Sequence, residues 1–458
     1  MNGMALSTSP SLDQNRPWLV FGMGGTGRSV ARFLRHQGIP CVLGDSRADA
    51  RLERELRAEF PGAELRLGDC EAEDWSRYGR VILSPGVPRA LACVQQAIAG
   101  GVEVVGDIEL FARIATAPVV AVTGSNGKST VVHLLWKMTQ AAGWDGALGG
   151  NFGTPALDLL KTPEAEVYVL ELSSFQLEST YSLRSAVATI LNISEDHLDR
   201  YPDIEHYAAA KGRIFDGARK LVVNRDDPRV MALIPAGREF VSFGLDVPAS
   251  GQFGLRIADA AHQWLAKGDV SLLPIAELRL YGRHNLANAL AALALGEAIG
   301  LPLAAMLEAL RQYAGLPHRT QWVRELGGVT WLNDSKATNV GATVAALKGL
   351  ANPVILLAGG QGKGQDFGLL REAVAAHARA VLLFGEDAPK LERALAGASE
   401  LRRVPSLVEA VSMAHALAES GDYVLLSPAC ASFDMFTGYA QRGDRFAALV
   451  NELQGGGA

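Results

Sequence analysis

The chain has 458 residues, of which 48% are hydrophobic and 20% charged, and its formal net charge is -6. This length exceeds what one hydrophobic core usually serves and indicates about three domains. The mildly acidic balance argues against a nucleic-acid binder, which needs a basic face. Any bound phosphate must therefore be held by local loops.

The four cysteines, Cys41, Cys70, Cys93 and Cys430, are far apart in the sequence and form no C-x-x-C pair. We interpret them as free thiols in a reducing compartment. The N-terminal residues lack the basic start and apolar core of a signal peptide, and no run of about 18 apolar residues follows. We expect a cytoplasmic protein without membrane insertion or nucleic-acid partner, and a monomer.

The first part of the chain alternates short β-branched runs with helical segments. This alternation predicts a parallel sheet of the Rossmann kind that ends near Gly106. The predicted strands cover 18–22, 41–45 and 80–87, and the predicted helices cover 26–37, 48–60 and 89–100.

A glycine-rich turn follows the first predicted strand. In "VFGMGGTGRS", Gly22, Gly24 and Gly27 have the spacing G-x-G-x-x-G, which lets backbone N–H groups approach a diphosphate. Asp45 ends the next strand, where an acid would bind a ribose hydroxyl. On these residues alone, a nicotinamide-dependent dehydrogenase is tenable.

A second α/β unit starts with a buried strand, a loop and a helix over residues 117–130. Further strands are predicted within 165–178, 187–194 and 219–227, with less regular ones between 237 and 280, and a helix over 285–300. The loop "TGSNGKST" predicts an ATP site, because its small residues turn N–H groups toward phosphate and Lys128 can reach the β- and γ-phosphates. Val122 stands where the general P-loop pattern has glycine, so the loop is shorter.

Two more motifs of this unit follow predicted strands. Glu171 in "ELSSFQLE" can hold a hard cation such as Mg²⁺, and His197 in "NISEDHLDRY" lies near the same sheet edge. Lys211 in "YAAAKGRIF", taken by itself, is typical of a helix surface. A diphosphate turn together with an ATP loop favours an enzyme that spends ATP on a nucleotide-linked substrate over a dehydrogenase.

A third α/β unit is predicted from strands at 328–334, 353–360, 380–385 and 422–428. Polar loops follow three of them, namely "LNDSKATN", "GGQGKGQDF" and "SPACASFDMF". Because loops at the carboxyl ends of parallel strands meet at one sheet edge, they predict a small-molecule pocket. The expected domains are 1–106, 107–315 and 316–458.

The motifs taken together resemble one family. "GSNGKST", "ELSSFQLE", "NISEDHLDRY", "GRHNLANALAA", "GLPHR", "NDSKATNVGAT" and "SPACASFDMF" occur in the order typical of the Mur ligases, from about residue 18 to 450. The resemblance implies an α/β protein of three domains. These are a Rossmann-like N-terminal domain for a UDP moiety, a central P-loop ATPase-type domain with a mainly parallel sheet, and a C-terminal Rossmann-like domain that brings an amino acid.

The resemblance also implies the reaction. "NDSKATN" and "SPACASFDMF" favour ATP-dependent addition of D-glutamate to UDP-N-acetylmuramoyl-L-alanine through an acyl phosphate, in cytoplasmic peptidoglycan precursor synthesis. ATP and two Mg²⁺ ions are the implied cofactors, and Lys128, His197 and Lys211 the implied catalytic residues. Lys211 matches a lysine that is carbamylated in the family, which replaces the surface interpretation of that residue.

The remaining site residues are carried over by matching motif positions. The implied ATP-binding residues are Gly124, Ser125, Asn126, Gly127, Lys128, Ser129, Thr130, Asn285, Asn288, Arg319 and Asp334. The implied metal ligands are Ser129, Thr130, Glu171, His197 and carbamylated Lys211. The implied UDP-sugar residues are Gly24, Gly25, Thr26, Asp45, Ser46, Arg47, Ser84, Gly86 and Asn151. The implied glutamate residues are Lys336, Thr338, Lys363, Ser432 and Tyr439.

One stretch departs from the family pattern. After "SPACASFDMF" the chain reads "TGYAQRG", where relatives more often have a basic residue and Asn, and Tyr439 takes an aromatic position. Three alternatives stay open at this point: a related ligase for another amino acid, a nicotinamide-dependent dehydrogenase, and a nucleotide sensor without catalysis.

Overall fold

A computed structural model of the chain describes residues 16–70, 73–194, 200–259 and 262–454. These residues form three β-sheets, and helices connect many of their strands. The predicted fold class, a three-domain α/β protein with mainly parallel sheets, is confirmed.

The N-terminal sheet has five parallel strands in the order β3-β2-β1-β4-β5. Its strands are β1 Trp18–Phe21, β2 Cys41–Asp45, β3 Glu64–Leu67, β4 Arg80–Leu83 and β5 Glu103–Gly106. The helices of this part are α1 Gly25–His36, α2 Ala50–Glu59, α3 Ala92–Ala99 and α4 Asp107–Ala112. The strand order reverses between β1 and β4, and α/β proteins bind ligands in the crevice at such a point.

The central sheet has nine strands in the order β14-β13-β12-β11-β10-β9-β6-β8-β7. They are β6 Val119–Thr123, β7 Gly146–Gly150, β8 Val167–Glu171, β9 Val187–Ile190, β10 Lys220–Asn224, β11 Val241–Phe243, β12 Phe253–Asp259, β13 His262–Lys267 and β14 Val270–Pro274. The helices are α5 Lys128–Ala141, α6 Ser174–Glu178, α7 Ile204–Gly212, α8 Pro228–Ala232, α9 Arg283–Ile299 and α10 Leu303–Gln312. Strands β6, β8 and β9 are buried throughout, as parallel strands covered on both faces must be.

The C-terminal sheet has six strands in the order β15-β16-β20-β17-β18-β19, and only β15 and β16 pair antiparallel among the pairs described. The strands are β15 Gln321–Leu326, β16 Val329–Asn333, β17 Val354–Gly359, β18 Ala378–Phe384, β19 Glu400–Arg403 and β20 Tyr423–Leu426. The helices are α11 Val340–Lys348, α12 Arg371–His377, α13 Ala388–Leu395, α14 Leu407–Leu417 and α15 Tyr439–Glu452.

The chain divides into two compact units. The first comprises 1–256, 266–272 and 288–309, and the second comprises 257–265, 273–287 and 310–458. The N-terminal sheet and strands β6 to β11 thus belong to the first unit, and the C-terminal sheet to the second. The three domain boundaries expected from the sequence stay predictions. Over the described part of the chain, no helix combines the length and apolar character that crossing a bilayer requires.

Candidate functional site

The glycine turn after β1 is shaped by close backbone contacts. Gly22 has φ +97°, and a Cβ there would lie 2.8 Å from Ser84 Cβ. A Cβ on Gly27 would lie 2.0 Å from the Gly22 carbonyl oxygen. Gly24 and Gly25 instead face open space, with no atom within 4 Å of a built Cβ. The turn therefore leaves the start of α1 accessible to an anionic group.

A groove of about 510 Å³ lies at this turn. Its lining includes every residue predicted for the UDP-sugar site, namely Gly24, Gly25, Thr26, Asp45, Ser46, Arg47, Ser84, Gly86 and Asn151. These residues lie at or just beyond the carboxyl ends of β1, β2, β4 and β7, so the fold brings together residues spread over about 130 positions of the chain. Their binding role remains a prediction.

Asp45 is buried and its carboxylate is already engaged. It accepts hydrogen bonds from Met23 N at 2.7 Å and from Arg47 Nε and Nη2, each at 2.8 Å. Burial raises the pKa of Asp45, but these bonds outweigh it and hold the pKa below its usual value. Asp45 thus orders both the glycine turn and Arg47, whose side chain is 59% exposed at the groove.

Arg200, which the sequence analysis did not single out, supports the same groove. Its guanidinium donates to the carbonyl oxygens of Pro85 and Val87, each at 3.0 Å, and lies 4.1 Å from the centre of the Phe175 ring. Arg200 therefore holds the turn after β4 in place. The only sequence signal for Arg200 was its position near the end of the motif "NISEDHLDRY".

Asp107 and Gln176 form a buried polar pair beside the groove. Gln176 Nε2 donates to Asp107 Oδ2 at 3.1 Å, and Gln176 itself lines the groove. Asp107 is 2% exposed, and its Oδ1 has no hydrogen-bond partner among the described residues. Burial raises the pKa of Asp107 to about 6.

The loop between β6 and α5, residues 124–127, is the predicted phosphate loop. Its backbone has the conformation that its glycines predict. Gly124 and Gly127 have φ +150° and +83°, and Gly127 caps α5. A Cβ on Gly127 would lie 2.3 Å from Asn288 Oδ1, so Asn288 is packed against the loop. Two segments predicted for ATP binding are therefore adjacent within the first unit.

Asn192, another residue missed by the sequence analysis, sets the loop's shape. Its Oδ1 accepts from Asn126 N at 2.8 Å, and its Nδ2 donates to Asn126 O at 3.1 Å. Ser125 Oγ donates to Ser194 O at 3.0 Å. The segment after β9 thus acts as a second wall of the phosphate loop.

Lys128 begins α5 and lies across its own loop. Its Nζ donates to Gly124 O at 2.8 Å and to Ser125 O at 2.9 Å. The cation is thus held within the loop whose N–H groups and helix N-terminus favour negative charge. This arrangement suits the β- and γ-phosphates of a nucleotide.

Glu171, at the end of β8, is 3% exposed. Its Oε2 accepts from Ser129 Oγ at 2.8 Å, and its Oε1 accepts from Asn151 Nδ2 at 2.7 Å. A buried carboxylate beside a helix-start hydroxyl is a set of hard oxygen donors that fits Mg²⁺. Thr130, the other predicted hydroxyl ligand, is half-buried in the same turn.

Lys211 on α7 is 2% exposed, so the interpretation of this residue as a surface lysine is wrong. Its Nζ donates to Gly124 O at 3.0 Å and to Thr123 Oγ1 at 3.4 Å, and lies 4.6 Å from the centre of the Tyr207 ring. At its position on α7, Lys211 therefore points toward the phosphate loop. His197 lies outside the described residues, which contain no group of three or more His, Cys, Asp or Glu side chains suited to a metal ion.

The second unit holds the other predicted ATP residues. Asn285 is buried and donates to Tyr281 O at 2.8 Å, whereas Arg319 is exposed. Asp334 accepts from Ser427 Oγ at 2.8 Å and Thr320 N at 3.1 Å. Burial raises the pKa of Asp334 to about 7, against the opposing effect of these hydrogen bonds.

The three polar loops of the C-terminal sheet meet, as predicted. Gln365 Nε2 donates to Thr338 O and Ala429 O, each at 3.4 Å, and to Gly362 O at 3.0 Å, so one side chain connects all three loops. Lys363 and Ala429 have φ +50° and +58°, and such backbone strain in residues other than glycine is typical of functional loops.

The five residues predicted for glutamate lie on these loops and at the start of α15. Lys336 Nζ lies 5.4 Å from the centre of the Tyr439 ring, and Lys363 Nζ lies 5.3 Å from that of Phe433. Ser432 is 2% exposed, and Thr338 is half-buried. Two cations with aromatic neighbours suit a small dicarboxylate.

Arg442, in the departing stretch "TGYAQRG", is fully buried. It donates to Ser335 Oγ at 3.0 Å, Ser335 O at 2.9 Å and Cys430 O at 3.1 Å. Burial lowers the pKa of Arg442 to about 10. Through these hydrogen bonds, this arginine connects the loops after β16 and β20 to α15. No local sequence pattern indicated this role.

The phosphate loop, the buried carboxylate and the parallel sheets define an α/β protein of the nucleotide-binding P-loop class. Three family models match consecutive parts of the chain. They are "Mur ligase MurD-like, N-terminal domain" over 16–106, "Mur ligase middle domain" over 122–296, and "Mur ligase, glutamate ligase domain" over 318–430. The chain belongs to the Mur ligase family, as its motifs predicted.

Curated relatives match along almost the whole chain. A UDP-N-acetylmuramoylalanine--D-glutamate ligase of Nitrosococcus oceani is 51% identical over 437 residues, which cover 95% of this chain and 96% of the relative. The enzyme of the same name from Pseudomonas aeruginosa is 51% identical over 439 residues, covering 95% and 98%.

Solved structures share the fold at low identity. The UDP-N-acetylmuramate-alanine ligase MurC of Thermotoga maritima has a TM-score of 0.55 at 19% identity, covering 95% of this chain and 99% of that one. A UDP-N-acetylmuramoyl-L-alanyl-D-glutamate--2,6-diaminopimelate ligase has a TM-score of 0.58 at 22% identity, covering 84% and 86%. These likenesses support the architecture alone.

Proposed function

We propose that this chain joins D-glutamate to UDP-N-acetylmuramoyl-L-alanine, with conversion of ATP to ADP and phosphate, in peptidoglycan precursor synthesis. The observation that carries the proposal is the 51% identity, over 95% of the chain, to relatives named for this reaction. Three groups of loops support the proposal, one for each part of the chemistry.

The groove at the glycine turn takes the nucleotide-linked substrate. The diphosphate approaches the N–H groups at the start of α1, next to the Arg47 side chain that Asp45 orients. Asn151 lines this groove and also donates to Glu171. One residue thereby connects the substrate groove to the phosphate loop.

The first step forms an acyl phosphate. A carboxylate oxygen of the substrate attacks the γ-phosphorus of ATP, the bond from that phosphorus to the β-phosphate oxygen breaks, and ADP leaves. Lys128 neutralises charge on the β- and γ-phosphates, which is the main requirement of phosphoryl transfer. Asn285, Asn288, Arg319 and Asp334 are proposed to bind the nucleotide.

The second step forms the amide bond. The glutamate amine attacks the acyl phosphate carbon, and the tetrahedral intermediate expels phosphate while the nitrogen loses its proton. Lys336, Lys363 and Ser432, with Thr338 and Tyr439, hold the glutamate carboxylates. Holding the amine next to the carbonyl makes the attack effectively intramolecular.

Two Mg²⁺ ions belong to the proposal. Ser129, Thr130 and Glu171 would hold the first, and His197 with Lys211 the second, and both ions would supply positive charge at the transferring phosphoryl group. The hydrogen bond between Ser129 and Glu171 supports the first set, because it places the hydroxyl and the carboxylate together.

Carbamylation of Lys211 would convert its cation into a metal ligand. The ammonium group first loses one proton, the neutral nitrogen then attacks the carbon of CO₂, and loss of a second proton leaves a carbamate. The burial of Lys211 and its contact with the phosphate loop support this assignment. Lys211→Ala should cripple turnover, with partial rescue by a short carboxylic acid, whereas an unmodified lysine by mass and full activity of the variant would refute it.

The test of the proposed function is phosphate release from ATP with UDP-N-acetylmuramoyl-L-alanine and a panel of D- and L-amino acids. D-glutamate should stimulate phosphate release, whereas L-glutamate and alanine should not. Stimulation by another amino acid alone would assign the chain to a different ligase of the family.

Two controls address the alternatives from other classes. Lys128→Ala should reduce turnover by about a hundredfold or more, as removal of a transition-state contact does, while Lys137→Ala on the exposed face of α5 should not. A fully active Lys128→Ala would mean that the loop is not catalytic. Saturable NADH binding that UDP does not displace would support a dehydrogenase instead.

A further inference from the structure

Cys70 and Cys93, which are 23 positions apart in the sequence, are neighbours in space. The Sγ atom of Cys93 donates to that of Cys70 at a sulfur–sulfur distance of 3.6 Å. Cys70 lies in the loop after β3, and Cys93 lies in the first turn of α3. The two thiols are thus in van der Waals contact without being bonded.

The two thiols differ in access. Cys93 is 2% exposed within the apolar cluster on one face of the N-terminal sheet, and Cys70 packs on the edge of that cluster. Cys70 also lines a groove of about 450 Å³ together with Leu67, Gly68 and Asp69. A small oxidant can therefore reach Cys70 from the groove, whereas Cys93 is almost closed to solvent.

We propose that Cys70 and Cys93 form a modification site, a dithiol that a peroxide converts reversibly into an intramolecular disulfide. In proteins of reducing compartments such pairs serve redox sensing rather than permanent stabilisation. The sulfur atoms need to approach by about 1.5 Å to reach bonding distance. Cys70 lies three residues beyond the end of β3, a four-residue strand at the edge of its sheet.

The chemistry balances with hydrogen peroxide as the oxidant. The Cys70 thiol loses its proton to solvent, and the thiolate attacks one peroxide oxygen, which gives a sulfenic acid and hydroxide. The Cys93 sulfur then attacks the Cys70 sulfur, and the hydroxyl leaves as water with the proton of Cys93. Two thiols are oxidised by two electrons, and one peroxide is reduced to two waters.

The order of the two steps follows from burial. Burial and the contact with Cys70 raise the pKa of the Cys93 thiol to about 11, so Cys93 remains protonated at neutral pH. Cys93 is therefore the resolving residue, and it reacts once Cys70 carries a leaving group. Burial likewise raises the pKa of Cys41 to about 11 and that of Cys430 to about 12.

The disulfide would connect the loop after β3 to the first turn of α3. That turn follows the segment 84–87, which lines the substrate groove. A covalent link between the two sulfur atoms should shift the start of α3. We therefore expect the KM for the nucleotide-linked substrate to rise while the KM for ATP does not change. This consequence rests on the proposed function, whereas formation of the disulfide does not.

The experiment is a hydrogen peroxide titration of the full chain, followed by intact mass and peptide mapping without reductant. We expect a mass loss of about 2 Da, a linked peptide pair containing Cys70 and Cys93, and reversal by dithiothreitol. Cys41→Ser and Cys430→Ala should form the same link, and Cys70→Ala should not. Cys93→Ala should leave Cys70 as a sulfenic acid that a dimedone probe captures.

Two results would overturn the inference. The first is oxidation of Cys70 to sulfinic acid in the wild-type chain while Cys93 stays reduced, and the second is a link between two copies instead of within one. Because Cys70 is on the loop, Cys70→Ala keeps the test valid should Cys93→Ala fail to fold. An unchanged KM in fully linked protein would remove the coupling to the groove and leave the mass result unaffected.

Discussion

Ser129, at the start of α5, donates a hydrogen bond from its hydroxyl to the buried carboxylate of Glu171, at an oxygen–oxygen distance of 2.8 Å. The opposite carboxylate oxygen accepts from Asn151, which lines the groove at the glycine turn. The residue expected to hold Mg²⁺ is therefore hydrogen-bonded both to the start of α5 and to a residue of the groove at the glycine turn.

Glu171→Gln tests this relationship. The variant keeps the size and one acceptor oxygen of the side chain but loses the negative charge that favours a divalent cation. We expect the Mg²⁺ concentration needed for half-maximal phosphate release to rise about 10- to 100-fold. Glu166→Gln, on an exposed glutamate just before β8, is the matched control. An unchanged Mg²⁺ dependence in the Glu171 variant would exclude a metal role for this carboxylate.

Tyr439→Ala tests the proposed glutamate site. The ring faces Lys336 Nζ at 5.4 Å, and its loss should remove about 1 kcal/mol, or about fivefold in the KM for D-glutamate. Tyr439→Phe keeps the ring and should keep the KM. The KM for the nucleotide-linked substrate serves as the internal control, and a rise in that value instead would place Tyr439 outside the glutamate site.

Arg442→Ala tests the buried guanidinium of the C-terminal loops. Its removal leaves the carbonyl oxygens of Ser335 and Cys430 without this donor, which should cost about 3 kcal/mol of unfolding free energy. Urea unfolding followed by tryptophan fluorescence measures the loss, since Trp331 is buried in the same sheet. Arg445→Ala, on the exposed side of α15, should unfold like the wild type. Equal midpoints for the two variants would contradict the assigned role.

Asp107→Asn tests a pH-dependent contribution to stability. The pKa of Asp107 rises from 3.8 to about 6 on folding, so the folded state binds the proton more tightly than the unfolded state. The resulting stability is fully present below about pH 4 and is lost as the pH rises through 6, by about 3 kcal/mol.

The variant has no proton to lose at this position. Relative to the wild type, Asp107→Asn should therefore gain about 3 kcal/mol between pH 4 and pH 7 in urea unfolding. The same change at exposed Asp216 is the matched control. A pH-independent difference at position 107 would show that this carboxyl ionises normally.

The central strands and the chemistry-bearing loops could be predicted from the sequence because their signals are local. Buried parallel strands such as β6 and β17 are continuous apolar runs, and the loops after them carry glycines and polar residues. The strands that were not predicted, β3, β5, β7, β15 and β19, all lie at sheet edges. Edge strands are partly solvated, so sequences such as "ELRL" and "ELRR" lack an apolar signature.

Burial could not be predicted for several polar residues. Lys211 and Arg442 are charged residues on helices, and charged helix residues usually face solvent, yet both are buried by loops distant in sequence. Asp45 was expected from its position to accept a ribose hydroxyl, but the position does not show that Arg47 and Met23 already occupy its oxygens. These partners depend on how the chain packs.

The sequence alone determined the α/β class, the two glycine-rich turns and the family, because glycine spacing, apolar runs and motif order are properties of short segments. Only the tertiary structure decided that nine residues from the ends of four strands share one groove, that Lys211 faces the loop after β6, and that Cys70 contacts Cys93. The reason is physical: parallel strands bring their carboxyl ends to one edge, so residues far apart in the chain become neighbours there.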